Sequence, residues 1–193
     1  MEMKMYHVLG SHPYYTNCFI LITNKNNAVA IDASGNIKEY EQIFKETGAK
    51  LTHILLTHGH DDHVETLKEL KQLGAKVYIT KEDSAFFKID ADEFLEDEQN
   101  VVIDDLKFKV ITTPGHTPGS IMLRIEDLLF SGDTIFDGDI GRTDLPGGSS
   151  EQIMLSIKKV LQVVTDNPKV LPGHETFSDM NTQRKYNHYL KNL

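Results

Sequence analysis

Three histidines and two aspartates fall within eight positions, Thr57-His58-Gly59-His60-Asp61-Asp62-His63-Val64. Neutral imidazole and carboxylate are donors for zinc or iron, and a catalytic metal site keeps one position open for water. His58 and His60 are two apart, so in an extended backbone they point the same way and can share one ion. Asp62 and His63 lie at the turn into a following helix and could face a second ion. By themselves these residues leave a polar surface loop as the lesser alternative, because short motifs recur by chance.

Three further segments end or precede strands with a donor next to a glycine, which permits a tight turn or close backbone approach. They are Thr113-Pro114-Gly115-His116-Thr117-Pro118-Gly119-Ser120, Leu129-Phe130-Ser131-Gly132-Asp133 and Leu171-Pro172-Gly173-His174. The remaining histidines read as structural: His7 and His53 in strands, His12 in a loop and His188 on a terminal helix.

The elements that must position these donors follow from periodicity. Residues 3–9, 18–23 and 28–32 alternate or run apolar as strands, with Asn26-Asn27 as a turn. A helix is expected at 37–47, capped by Gly48, then a buried strand at 52–56 and a helix at about 63–73 with Val64, Leu67, Leu70 and Leu73 as its apolar stripe. A strand at 76–79 precedes the acidic stretch 81–98, which holds two lysines against eight acidic side chains and reads as a short helix and a solvated face. Strands are expected at 101–111, 120–125 and 128–131, the last two as a hairpin around Glu126-Asp127. Ser149 and Gln152 form a capping box opening a helix; a strand at 169–171 and a helix at about 180–190 follow. Strands and helices alternate in two series, as two sheets flanked by helices would.

HGHDDH matches the H-x-H-x-D-H signature of the metallo-β-lactamase superfamily. His116, Asp133 and His174 fall in the order and contexts of that superfamily's other ligands. The similarity runs from Asn17-Cys18 to about Phe177. Within it, SGDTIFDGDIGRTDLPGG (131–148) is similar to the branch containing single-domain type II glyoxalases and persulfide dioxygenases. The resemblance implies an α/β fold (α+β by some schemes), a four-layer αββα sandwich spanning residues 1–193 as a single domain. It implies that His58, His60 and His116 bind one metal, that Asp62, His63 and His174 bind a second, and that Asp133 bridges them. The expected cofactors are two divalent ions, zinc first, with iron or manganese as alternatives.

Two such ions sharing a water lower its pKa from about 16 towards 7, and Asp62 is placed to orient that water or move its proton. The leading expectation is a metal-dependent thioester hydrolase resembling hydroxyacylglutathione hydrolase, with a small-molecule thioester such as S-lactoylglutathione as substrate. The alternative is a mono-iron persulfide dioxygenase of the same superfamily, using His58, His116 and Asp133. A metal-stabilised module without catalysis fits less well, because structural zinc sites usually close with four protein ligands. Larger type II glyoxalases grip glutathione with an added helical domain; here 19 residues follow His174, leaving Lys185, Tyr186 and Tyr189 as substitutes. Segment 81–98, if it bordered the site, would repel an anionic thiol. Arg142 is expected to pin its loop with Asp144 rather than bind substrate.

The bulk numbers exclude other classes. The chain has 193 residues, net charge -9 and 39% hydrophobic content, ordinary for a globular protein and unlike the basic face that nucleic acid requires. The single cysteine, Cys18, cannot form an intramolecular disulfide, and with no leader-like or membrane-spanning apolar run the expectation is a cytoplasmic protein without a membrane or nucleic-acid partner. No oligomeric state follows from the sequence.

Overall fold

The computed structural model describes residues 4–193. One six-stranded sheet runs, in spatial and chain order, through β1 (Lys4–Leu9), β2 (Asn17–Ile22), β3 (Asn27–Ile31), β4 (Lys50–Leu55), β5 (Lys76–Ile79) and β6 (Glu93–Phe94). The second contains β7 (Asn100–Ile103), β8 (Leu106–Thr112), β9 (Ile121–Ile125), β10 (Leu128–Gly132), β11 (Lys169–Pro172) and β12 (Ser178–Asp179), again in that spatial order. The helices are α1 (Ile37–Thr47), α2 (Leu67–Gln72), α3 (Lys81–Phe87), α4 (Ser150–Val163) and α5 (Met180–Tyr186).

The period-2 alternation of strand side chains sorts the apolar residues into three layers. Phe19, Leu21, Val29 and Ile31 point inward and meet Phe108, Val110, Leu123 and Phe130 of the other sheet. Their neighbours Cys18, Ile20, Ala28 and Ala30 point outward and pack under Tyr40 of α1 and Leu70 of α2. On the far side Met122, Leu129 and Val170 pack under Ile153, Ile157 and Val160 of α4 and Met180 of α5. Helix, sheet, sheet, helix is the αββα order that the resemblance implied.

Local signals account for several boundaries. Ser149 accepts from Gln152 N at 3.3 Å at the start of α4, Gly48 caps α1 in the left-handed region at φ 68, and Asn26 turns the chain at φ 62. Elsewhere tertiary contacts override the pattern. The expected strand 101–111 is a hairpin, β7 and β8, turning at Asp104 (φ 54). Asp104 is held there by Thr23 Oγ1 at 2.8 Å and Asn27 Nδ2 at 2.7 Å. The expected helix 63–73 is a 3-10 turn, Asp61–His63, followed by α2. The chain is pulled off helical geometry between them because Thr66 N donates to Ala33 O at 2.8 Å. The last helix ends at Tyr186 rather than about 190, where Asn187 turns its side chain to donate to Asp139 O at 2.8 Å. His188 therefore lies in a turn. The first strand's expected start, Met3, falls outside the described residues. Among the described residues no helix is long and apolar enough to cross a membrane.

Candidate metal centre

β3 and β4 run parallel, as do β10 and β11, and ligand sites in such sheets gather where parallel strands end. Asp32 follows β3, Thr57 to His63 follow β4, Asp133 follows β10 and Gly173-His174 follow β11, while His116 comes from the β8–β9 loop. The close approach of these ends requires glycine. A Cβ on Gly173 would collide with Asp133 Oδ1 and His63 Cε1.

All seven donors singled out in the sequence come together there. Their donor atoms form three overlapping groups, each with all atoms within 4.8 Å of one another: His58, His60 and His116; His58, His63 and Asp133; Asp62, His63 and His174. His60 Nδ1 lies 2.9 Å from His116 Nε2. His174 Nε2 lies 3.3 Å from His63 Nε2 and 3.1 Å from Asp62 Oδ2. Asp133 stands between the outer trios, 3.2 Å from His63 Nε2, 3.3 Å from His116 Nε2 and 3.4 Å from His174 Nε2. Two donors each about 2.1 Å from one tetrahedral ion would be about 3.4 Å apart, so these spacings suit divalent metals.

Two further observations fit a metal. Among the described residues, His58 Nε2 and Asp133 Oδ1 are buried side-chain atoms with no hydrogen-bond partner; the 3.2 Å approach of His63 to that oxygen is a charge contact without hydrogen-bond alignment. Buried polar atoms ordinarily find partners, and both of these face the cluster. The electrostatics agree. Burial, reinforced by the neighbouring imidazoles, holds His58 well below the ordinary histidine value and brings His60 to about 4, so their lone pairs are free at neutral pH. Burial would also depress His63 and His174, yet the carboxylates reverse it. Asp133 and Asp32 raise His63 well above its usual value, and Asp133 and Asp62 lift His174 to about 10. The three carboxylates thus draw positive charge onto the centre, a demand that a divalent cation meets.

A surrounding set of hydrogen bonds orients the rings. With Nε2 turned to the centre, His63 donates through Nδ1 to Asp32 Oδ2 at 2.8 Å, His116 to Arg142 O at 2.8 Å and His174 to Tyr14 O at 3.0 Å. Such partners fix the tautomer of a metal-binding histidine. Thr57 Oγ1 donates to Asp32 Oδ2 at 2.8 Å and lies 3.2 Å from His58 Nδ1, leaving it free to accept from that ring. Thr16 Oγ1 donates to Asp62 Oδ2 at 3.0 Å.

The centre floors a cleft of about 880 Å³. Its walls include Tyr14, Tyr15, Phe136, Ile140 and Leu145; its rim bears Asp61, Asp139, Glu175 and one cation, Arg142. Arg142 is bound in two places by Asp144, both at 2.7 Å, and its carbonyl holds His116. Both contacts are the loop-pinning role expected of it. Lys185, Tyr186 and Tyr189 do not line this cleft. Lys185 lies over the Tyr186 ring at 4.9 Å, and Tyr189 lines a separate depression. No carboxylate of segment 81–98 lines the cleft either. That segment is not wholly a solvated face: Asp83 is fully buried, and Phe87 stacks edge-on against His60 with centroids 5.1 Å apart. Asp32, Thr16, Thr57 and Asp83 were missed in the sequence. Asp32 ends a strand with a carboxylate just as Asp133 does, a signal that was legible; Thr16, Thr57 and Asp83 have none.

Cys18 is buried under Ser34 N, which donates to its sulfur at 3.2 Å, and burial pushes its thiol far up. It is a core residue, not a nucleophile.

Comparison with known proteins agrees with this geometry. Residues 13–174 match the family described as the metallo-beta-lactamase superfamily. The chain is 30% identical over 198 residues to a hydroxyacylglutathione hydrolase, GloC, of Haemophilus influenzae, covering 92% of this chain and 93% of that protein. It is similar to the crystal structure of BLEG-1 B3 metallo-beta-lactamase (TM-score 0.87, 26% identity, 97% of this chain and 99% of that one). It is also similar to TTHA1623 in a di-iron-bound form (TM-score 0.80, 26% identity, 96% and 100%). With its two-sheet sandwich and a His/Asp cluster suited to divalent metals where the sheets' parallel strands end, the chain belongs to the metallo-β-lactamase superfamily.

Proposed function

We propose that the chain is a thioester hydrolase that works with two divalent ions, zinc foremost. His58, His60 and His116 would hold one, Asp62, His63 and His174 the other, with Asp133 shared. The observation behind this reading is the position of Asp133 between two donor trios at the floor of an open cleft. Two ions so held would lower the pKa of a bound water towards neutrality and polarise an acyl carbonyl. Asp62 lies at the cleft floor with one oxygen held by Thr16, oriented to align the attacking water and take its proton. Tyr14, Tyr15, Phe136 and Leu145 offer apolar walls to the thioester.

The similarity to GloC makes S-lactoylglutathione the reference substrate. The rim's one cation, Arg142, is paired with Asp144, so on this reading recognition rests chiefly on the acyl-sulfur centre and the apolar walls.

The test is S-lactoylglutathione hydrolysis by zinc-loaded protein, run beside oxygen uptake by iron-loaded protein given glutathione persulfide. Thioester cleavage without oxygen uptake is expected. Oxygen uptake without cleavage would assign the persulfide dioxygenase reaction instead, and neither activity would overturn the thioester reading.

A further inference from the structure

The geometry points to Asp83 as a positioning residue for the His58/His60/His116 trio, a role resting on the metal assignment above. Asp83 lies in the first turn of α3, a short helix outside both ligand-bearing loops, and its side chain is fully buried. Its two oxygens accept three hydrogen bonds, all from those loops. Oδ2 accepts from Gly59 N at 3.0 Å and Thr117 Oγ1 at 2.7 Å; Oδ1 accepts from Gly119 N at 2.6 Å. Gly59 lies between His58 and His60; Thr117 directly follows His116, and Gly119 comes two residues after that. One carboxylate therefore fixes the backbone of the two chain segments, 56 positions apart, that must bring His60 Nδ1 and His116 Nε2 to 2.9 Å.

The slot is closed around it. Thr80 Oγ1 donates to Gly119 O at 2.8 Å, and a Cβ on Gly119 would collide with Thr80 and lie 2.8 Å from Asp83 Oδ1. Hydrogen bonds to an ionised acceptor are shorter and stronger than neutral ones, which suits a tie between two connecting loops. The other trio has separate supports. His63 rests on Asp32, Asp62 on Thr16 and His174 on the Tyr14 carbonyl. Asp83 reaches none of these, so its loss should act on one trio alone.

Asp83→Asn keeps the shape but turns an amide N–H toward a backbone or hydroxyl donor. Calorimetric titration of metal-free protein with zinc should show two steps in the parent. In the variant, one step should weaken by about 10- to 100-fold, the range seen for residues supporting metal ligands, while the other is unchanged. Thr117→Val removes one of the three bonds at nearly constant volume and should weaken the same step by a smaller factor. It decides the matter if Asp83→Asn does not fold. Variants that lose thermal stability with both zinc steps intact would make Asp83 merely structural. Equal weakening of both steps would overturn the one-trio assignment. A parent that takes up no zinc would instead sink the metal assignment itself.

Discussion

Replacing Asp133 by alanine is expected to remove bound metal and lower hydrolysis by about a thousandfold or more while the chain stays folded. Its carboxylate reaches donors of both trios, His63 and His174 on one side and His116 on the other. On the two-ion reading, removing it would take from each ion an anionic donor that no neighbouring side chain can replace. Metal ions contribute several kcal/mol of transition-state stabilisation, and each 1.36 kcal/mol is a decade in rate, hence the magnitude. The fold should survive because the neighbouring core side chains Leu129 and Phe130 pack independently of the carboxylate. Metal analysis, kcat/KM and circular dichroism on the same sample check all three parts. A folded variant that keeps two ions and more than a tenth of the parent's activity would contradict the bridging role.

The second large effect separates two adjacent aspartates. Asp62→Ala should cost about a hundredfold to a thousandfold in kcat, because Asp62 contacts His174 and His63, is held by Thr16 and lies on the cleft floor where it can orient the attacking water. Burial and the neighbouring Asp133 charge push its carboxyl up, but His174 and His63 outweigh them and hold it below the usual carboxylate range, so it is ionised at neutral pH. Asp61 is exposed on the cleft rim, and Asp61→Ala should change kcat by less than about threefold, as exposed substitutions away from special contacts do. Steady-state kinetics on both variants give the comparison. Equal losses would mean that Asp62 has no special place.

The donor set was legible because metal chemistry restricts the residue types and the loops bearing them are short. HGHDDH, His116, Asp133 and His174 each stand beside a strand that periodicity reveals. The sheets were legible because short apolar runs such as Asn17–Ile22, buried throughout, mark strands, although such a run does not by itself show which alternate side chains face the other sheet and which face the helices. What was not legible depends on distant partners. The turn at Asp104-Asp105 carries a local signal that went unread, two aspartates between strand-like runs; only its anchoring by Thr23 and Asn27, which donate to the Asp104 carboxylate, depends on the fold. The break before α2 follows from Thr66 reaching Ala33. Asp83 sits among seven other acidic residues of segment 81–98 with nothing local to distinguish it, and only the fold brings Gly59, Thr117 and Gly119 around it. Asp32 is different: a carboxylate ending a strand is the pattern that singled out Asp133.

The central claim is that two ions held by this cluster are required for turnover, and stoichiometric metal removal tests it most directly. Chelator-treated protein should lose thioester hydrolysis, and adding zinc back should restore it in proportion to occupancy, reaching the full rate at two ions per chain. Full activity in protein shown by elemental analysis to be metal-free would contradict the account.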